Sequence, residues 1–141
     1  RVEAFFVALH ASHLLKNCWG SQLAISFPRL RASAGAHGPR FPVSDRDLVQ
    51  LICALRLVLP DVGLTLSTRE LPALRDDLVP LGITTMSAGS RTEPGGYARS
   101  KKGGAQCEVA DRRSGGAVAA MLRRKGYGPV WKEWDAASAF A

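Results

Sequence analysis

Apolar residues recur along this chain at two alternating rhythms, one suited to helices and one to short buried strands. Residues 2–18 read as a helix, with Phe5, Phe6, Leu9, His13 and Leu14 near one face, because positions three and four apart stack on one side of a helix. Gly20 and Ser21 stop it, and 23–27 (LAISF) is a short apolar strand ended by Pro28. A Gly- and Pro-rich loop follows over 32–42. Ser44 opens the next helix, with Asp47 at the spacing of a capping box. Leu48, Leu51, Ile52, Leu55 and Leu59 then repeat at helical spacing until Pro60 closes the element.

The alternation continues. Residues 62–67 (VGLTLS) form the second expected strand, and Leu74, Leu78 and Leu81 mark a helix closed by Gly82. Residues 83–87 (ITTMS) form the third strand, and a Gly-rich loop covers 88–105. A smaller unit closes the chain: QCEV at 106–109, a helix over about 114–125 capped by Gly126, then GPVW at 128–131. Strands separated by helices of this length predict parallel pairing through crossovers. The fold class is therefore α/β, either part of a (β/α) barrel completed by further chain or an open doubly wound sheet. In both, function sits just past the carboxyl ends of the strands.

Composition narrows the classes. With 141 residues and 46% hydrophobic content the chain reads as globular, and no apolar run approaches the roughly 20 residues of a membrane span. The net charge of +7 comes from 19 basic residues scattered among 12 acids. The densest clusters, Arg99/Lys101/Lys102 and Arg123/Arg124/Lys125, read as solvated faces, so no nucleic-acid partner is expected. Cys18, Cys53 and Cys107 form no CxxC-like pair; neither a disulfide framework nor a metal cage is expected, which suits a reducing cytoplasm. His10 and His13 share a helix face without a third ligand nearby in the sequence. Arg1 reads as a cut end of a longer protein.

Each expected strand ends in hydroxyls or guanidinium. Past the first lies Arg29; past the second, Ser67, Thr68, Arg69 and Glu70; past the third, Ser87 and Ser90, then residues 92–97. Such a set suits a small anionic substrate: Arg69 can grip a carboxylate bidentately, and Ser87 and Ser90 can hydrogen-bond it. Structural readings stand beside this one. Ser67 and Glu70 have the spacing of a capping box for the following helix, Arg69 has Asp76 or Asp77 within helical reach, Arg29 fits a surface arginine, and 92–97 fits an ordinary turn. No nucleophile–base pair stands out, so these look like binding residues that serve a cofactor.

The segments ISFPRLR (25–31), VSDRDLVQLICALRLVLPDVGLTLSTRE (43–70), LGITTMSAGSRTEPGGY (81–97) and YGPVWKEWD (127–135) resemble the 2-iminoacetate synthase family. These are the tyrosine lyases of thiamine biosynthesis in the radical S-adenosylmethionine superfamily. The resemblance implies cleavage of the Cα–Cβ bond of L-tyrosine to 2-iminoacetate and p-cresol. Initiation is by a 5′-deoxyadenosyl radical made from S-adenosylmethionine at a 4Fe–4S cluster held by a CxxxCxxC loop. That motif does not occur in these 141 residues, so this segment is expected to be inactive alone. By resemblance, residues 1–97 are the C-terminal half of the radical barrel and 98–141 a small α/β module of the biotin- and thiamine-synthesis type. Arg69 would clamp the tyrosine carboxylate with Ser87, Ser67 and Ser90 assisting, and Arg29 would lie on the adenosine side. A thiazole synthase partner and a reducing electron donor are implied; a membrane is not.

Three departures from the family pattern stand out: Leu71 after STRE, Cys107 in place of an aromatic, and the Lys- and Gly-rich stretch 98–105. The rivals are the related tyrosine lyase of hydrogenase maturation, disfavoured by the lack of a cysteine after Cys107, and a non-catalytic basic binding module. The latter would need Trp131, Trp134 and Lys132 on one exposed face, where a tail packed on the barrel is the plainer expectation.

Overall fold

A computed structural model describes residues 2–27, 29, 39–93, 96–97 and 108–131. Its elements are α1 (Val2–Asn17), β1 (Ala24–Ser26), α2 (Asp45–Val58), β2 (Gly63–Leu66), α3 (Pro72–Leu78) running into a 3₁₀ turn (Val79–Leu81), β3 (Thr85–Met86) and α4 (Gly115–Arg124). The strands form one parallel sheet in the order β1-β2-β3. The α/β alternation read from the sequence is thus present.

The core lies on one face of that sheet. Leu64 and Leu66 of β2 are fully buried with Leu48, Ile52 and Leu55 of α2. At about 1.5–3 kcal/mol for each fully buried leucine, this contact sets α2 against the central strand. Side chains alternate across a strand, so Thr65 points to the opposite face, as do its register partners Ser26 and Thr85. The face away from the helices therefore carries a row of hydroxyls. A second, smaller cluster joins Val118 and Met121 of α4 to Val79, with Met86 and Ala88 packed on it.

Helix ends follow local chemistry. Ser44 caps α2 as expected, accepting from the Asp47 N–H at 3.1 Å while Asp47 Oδ2 accepts from the Ser44 N–H at 3.1 Å. Ser114 caps α4 with its hydroxyl alone, accepting from the Ala117 N–H at 3.3 Å. Gly82 closes the 3₁₀ turn at φ +90° with its carbonyl bonded by Arg56, and a Cβ there would meet Arg56 Nε at 2.8 Å. Only glycine fits both the backbone and the space.

Several expectations need correction. The strands are shorter than their apolar runs. In the third, the Thr84 N–H donates to the Leu64 carbonyl at 3.0 Å while Thr84 Oγ1 accepts the Leu64 N–H at 2.8 Å, so a side chain takes one of the two bonds just before β3 begins. The first helix turns Ala8 and Ala11 to the core, while Phe5 and Phe6 stay 64% and 59% exposed and pack edge-to-face on each other. Small side chains are thus what α1 gives to the core. Cys18 lies beyond the helix and is exposed. Ser67 and Glu70 do not cap α3: its N-cap is Leu71, with no side-chain bond, and Pro72 fills N1. Among described residues 108–131 there is a helix but no strand; Cys107 and the loop from 98 to 107 lie outside the described residues. Trp131 lies against Gly115, where a Cβ would meet its ring at 3.1 Å, so this part of the tail packs on the start of α4.

Candidate functional site

Two of the expected site residues are brought together by strand register. Leu66 pairs with Met86, so Ser67 and Ser87 follow as neighbours on adjacent strands, with backbones about 4.8 Å apart. The Ser87 N–H donates to the Leu66 carbonyl at 3.0 Å. Both serines are half-buried, as are Arg69 and Ser90. Ser67 also shapes its own turn, its hydroxyl accepting the Arg69 N–H at 3.3 Å. The loop after β3 turns at Gly89 with φ +63°, a conformation that favours glycine.

The segment that follows is held by its own arginine. The Arg91 side chain donates to the Gly96 carbonyl at 2.8 Å, its backbone N–H donates to the Tyr97 hydroxyl at 3.1 Å, and Gly96 N–H closes a turn on the Glu93 carbonyl at 2.9 Å.

Arg29 sits differently from the other candidates. Its Nε donates to Glu70 Oε1 at 2.9 Å and its Nη2 to Glu70 Oε2; its Nη1 reaches the Val43 carbonyl at 3.0 Å and Asp45 Oδ1 at 2.7 Å. Four of the five guanidinium hydrogens are thereby used. The Glu70 carboxylate, fully buried, is the main reason the Arg29 pKa is driven still higher, with Asp45 adding to it against the cost of burial. Arg29 thus ties the end of β1 to the loop after β2 and to the start of α2. Among the described residues, one Nη2 hydrogen is left without an acceptor.

Behind the two serine-bearing loops lies an ion network that the sequence did not reveal. Arg75 of α3 is fully buried and donates through Nη1 to Asp111, also fully buried, and through Nη2 to the Ser87 carbonyl. Its Nε has no partner among the described residues. Arg113 grips the same Asp111 at 2.7 Å and Asp76 at 2.8 Å. Asp76 is therefore engaged by Arg113. One signal was available: Arg75 stands between Leu74 and Leu78 on the stripe of α3 that faces inward, where a charge demands a partner.

Burial pushes the Asp111 carboxyl up, but hydrogen bonds from Arg113 and then Arg75 outweigh it and hold the group at about 2, below its ordinary 3.8. A depressed carboxyl stabilises the fold above its unfolded value and loses that contribution as pH falls towards the folded one. Between pH 4 and 2 the protein is expected to lose about 2 kcal/mol through this group. Urea unfolding of the protein and of Asp111→Asn across that range checks it; equal acid sensitivity in both would remove Asp111 from the acid-labile groups.

Among the described residues no group of three His, Cys, Asp or Glu is placed to hold a metal ion. The donor set here does not fit an iron–sulfur cluster. Among the described residues no helix is long and apolar enough to cross a membrane.

Residues 26–128 match the family model of the Biotin and Thiamin Synthesis associated domain. The chain is 46% identical over 135 residues to the 2-iminoacetate synthase of Escherichia coli (strain K12), covering 96% of this chain and 36% of that protein. It is 44% identical, with the same coverage, to the 2-iminoacetate synthase of Salmonella typhimurium. Among solved structures, HydG, a maturase of the FeFe-hydrogenase, superposes with a TM-score of 0.76 at 37% identity, over 87% of this chain and 27% of that one. HydG from Carboxydothermus hydrogenoformans gives 0.73 at 35% identity, over 89% and 28%. The chain spans about a third of the length of the curated relatives it matches.

Proposed function

The chain belongs to the Biotin and Thiamin Synthesis associated domain family, and from that premise we propose that it forms the substrate-holding part of a radical S-adenosylmethionine tyrosine lyase of the 2-iminoacetate synthase type. The observation that carries the reading is the placement of Ser67 and Ser87 side by side at the carboxyl ends of two parallel strands, with half-buried Arg69 two residues past Ser67. The sheet contributes the later strands of a (β/α) barrel, and its hydroxyl-lined face is the side that faces the barrel interior. Residues 1–97 belong to that barrel in this reading, and the associated-domain match over 26–128 runs across position 97 into the segment that follows.

In this reading the chain's own residues bind and orient, and the cofactor chemistry comes from elsewhere in the full-length protein. Arg69 pairs with the carboxylate of L-tyrosine through two parallel N–H donors. Ser87 and Ser67 hydrogen-bond the same carboxylate or the amine, and Ser90 closes the polar end. Arg29 acts from behind, holding the loop that carries Arg69 through Glu70. The S-adenosylmethionine and 4Fe–4S cluster, when bound to the full-length enzyme, would supply the radical that opens the Cα–Cβ bond, with 2-iminoacetate and p-cresol as products. The greater identity to the 2-iminoacetate synthases than to HydG favours thiamine thiazole synthesis, hence a thiazole synthase partner, over hydrogenase maturation.

Arg69→Lys in the full-length protein tests this. Losing the bidentate grip is expected to cost about 1.5–3 kcal/mol, the scale of a charge-assisted hydrogen bond, which lowers kcat/KM for tyrosine about ten- to hundredfold. Unchanged kcat/KM would take Arg69 out of the site.

A further inference from the structure

The loops bearing Ser67 and Arg69 on one side, and Ser87 and Ser90 on the other, are joined from behind by one short segment. The Thr68 carbonyl accepts from the N–H groups of both Ala110 and Asp111 at 3.0 Å, and Gly89 N–H donates to the Arg113 carbonyl at 3.0 Å. Residues 110–113 therefore touch the loop after β2 with one end and the loop after β3 with the other. The charges lock that segment in place. Asp111 accepts from Arg75 and from Arg113, Arg113 continues to Asp76 on α3, and Arg75 reaches past Asp111 to the Ser87 carbonyl.

We infer that Arg75, Asp111 and Arg113 form a positioning clasp that fixes the spacing of the Ser67–Arg69 loop against the Ser87–Ser90 loop. The inference rests on the proposed tyrosine site for its consequence, but its geometry stands without it. A hydrophobic contact could hold α3 to the tail; it could not set a carbonyl on each loop. The guanidinium of Arg75 has two acceptors, the Asp111 carboxylate and the Ser87 carbonyl, at separate nitrogens. A lysine has one nitrogen and cannot occupy both places. Among the described residues Nε has no partner, so those two contacts set how the group lies. None of the three residues needs to touch substrate. They act through Thr68, Ser87 and Gly89, and a shift of about 1 Å in such a support can cost on the order of a hundredfold in rate.

The test uses Arg75→Lys and Arg113→Lys in the full-length protein, the second because its partly exposed side chain lets the fold survive. Hydrogen exchange is read by mass spectrometry alongside dissociation constants for L-tyrosine and for S-adenosylmethionine. The clasp predicts exchange about tenfold faster in peptides covering 67–70 and 87–93, with α2 and β2 unchanged. It also predicts tyrosine binding weakened about tenfold with S-adenosylmethionine binding unaffected. Unchanged exchange in both loops of both variants overturns the clasp. So does exchange that rises evenly through the whole sheet with both ligands weakened alike, since that is the signature of general support. Faster exchange confined to the loops, with tyrosine affinity unmoved both here and in Arg69→Lys, upholds the clasp and removes the tyrosine site from these loops.

Discussion

Replacing Asp111 by alanine is expected to destabilise the protein by about 3–5 kcal/mol, the cost of leaving a buried charge without its partner. Arg75 has no exposed surface; among the described residues its remaining acceptor is the Ser87 carbonyl, which brings no countercharge. Arg113 keeps Asp76 and suffers less. Because domains of this size are stable by only about 5–15 kcal/mol, the loss should appear as a large drop in the urea midpoint with little change in slope. The double replacement Arg75→Met with Asp111→Leu separates the causes. If the orphaned charge is the problem, removing both charges recovers much of the stability. If the double variant is as weak as Asp111→Ala, the deficit lies in lost packing or in the backbone contacts of residues 110–113.

Glu70→Ala is expected to cost about 3 kcal/mol, and Glu70→Gln not much less. Glu70 is fully buried and its two oxygens take Nε and Nη2 of Arg29. The contrast with a capping role makes the measurement decisive. A capping glutamate can be replaced by glutamine at little loss, and caps are worth about 1 kcal/mol. An ion pair needs the charge, so among the described residues glutamine leaves Arg29 with the exposed Asp45 as its counterion. A Glu70→Gln protein as stable as the parent would restore the capping reading and detach β1 from this loop. Thermal or urea unfolding followed by circular dichroism measures it.

The two pairs show where sequence reasoning stopped. Ser44 and Asp47 are three residues apart, and so their capping box was legible from spacing alone. Ser67 and Glu70 have the same spacing, yet the bond did not form. Glu70 found Arg29 41 residues away, and a buried bidentate pair outweighs a solvated cap. Likewise spacing set Phe5, Phe6 and Leu9 near one face of α1, but the side that the core buries carries Ala8 and Ala11, because burial depends on what the fold sets against a helix and not on the helix alone.

Local rules therefore determined the helix–strand alternation, the caps at Ser44 and Ser114, the glycine at 82 and the position of Ser67, Arg69, Ser87 and Ser90 past strand ends. These depend on periodicity, backbone conformation and neighbours within one turn, all of which a sequence carries directly. The tertiary structure alone decided the register that sets Ser67 beside Ser87, the commitment of Arg29 to Glu70, and the meeting of Arg75 with Asp111 across 36 residues. The physical reason is the same for all three. A buried charge takes whichever partner the folded chain delivers within hydrogen-bond range, and that distance exists only once the sheet has formed.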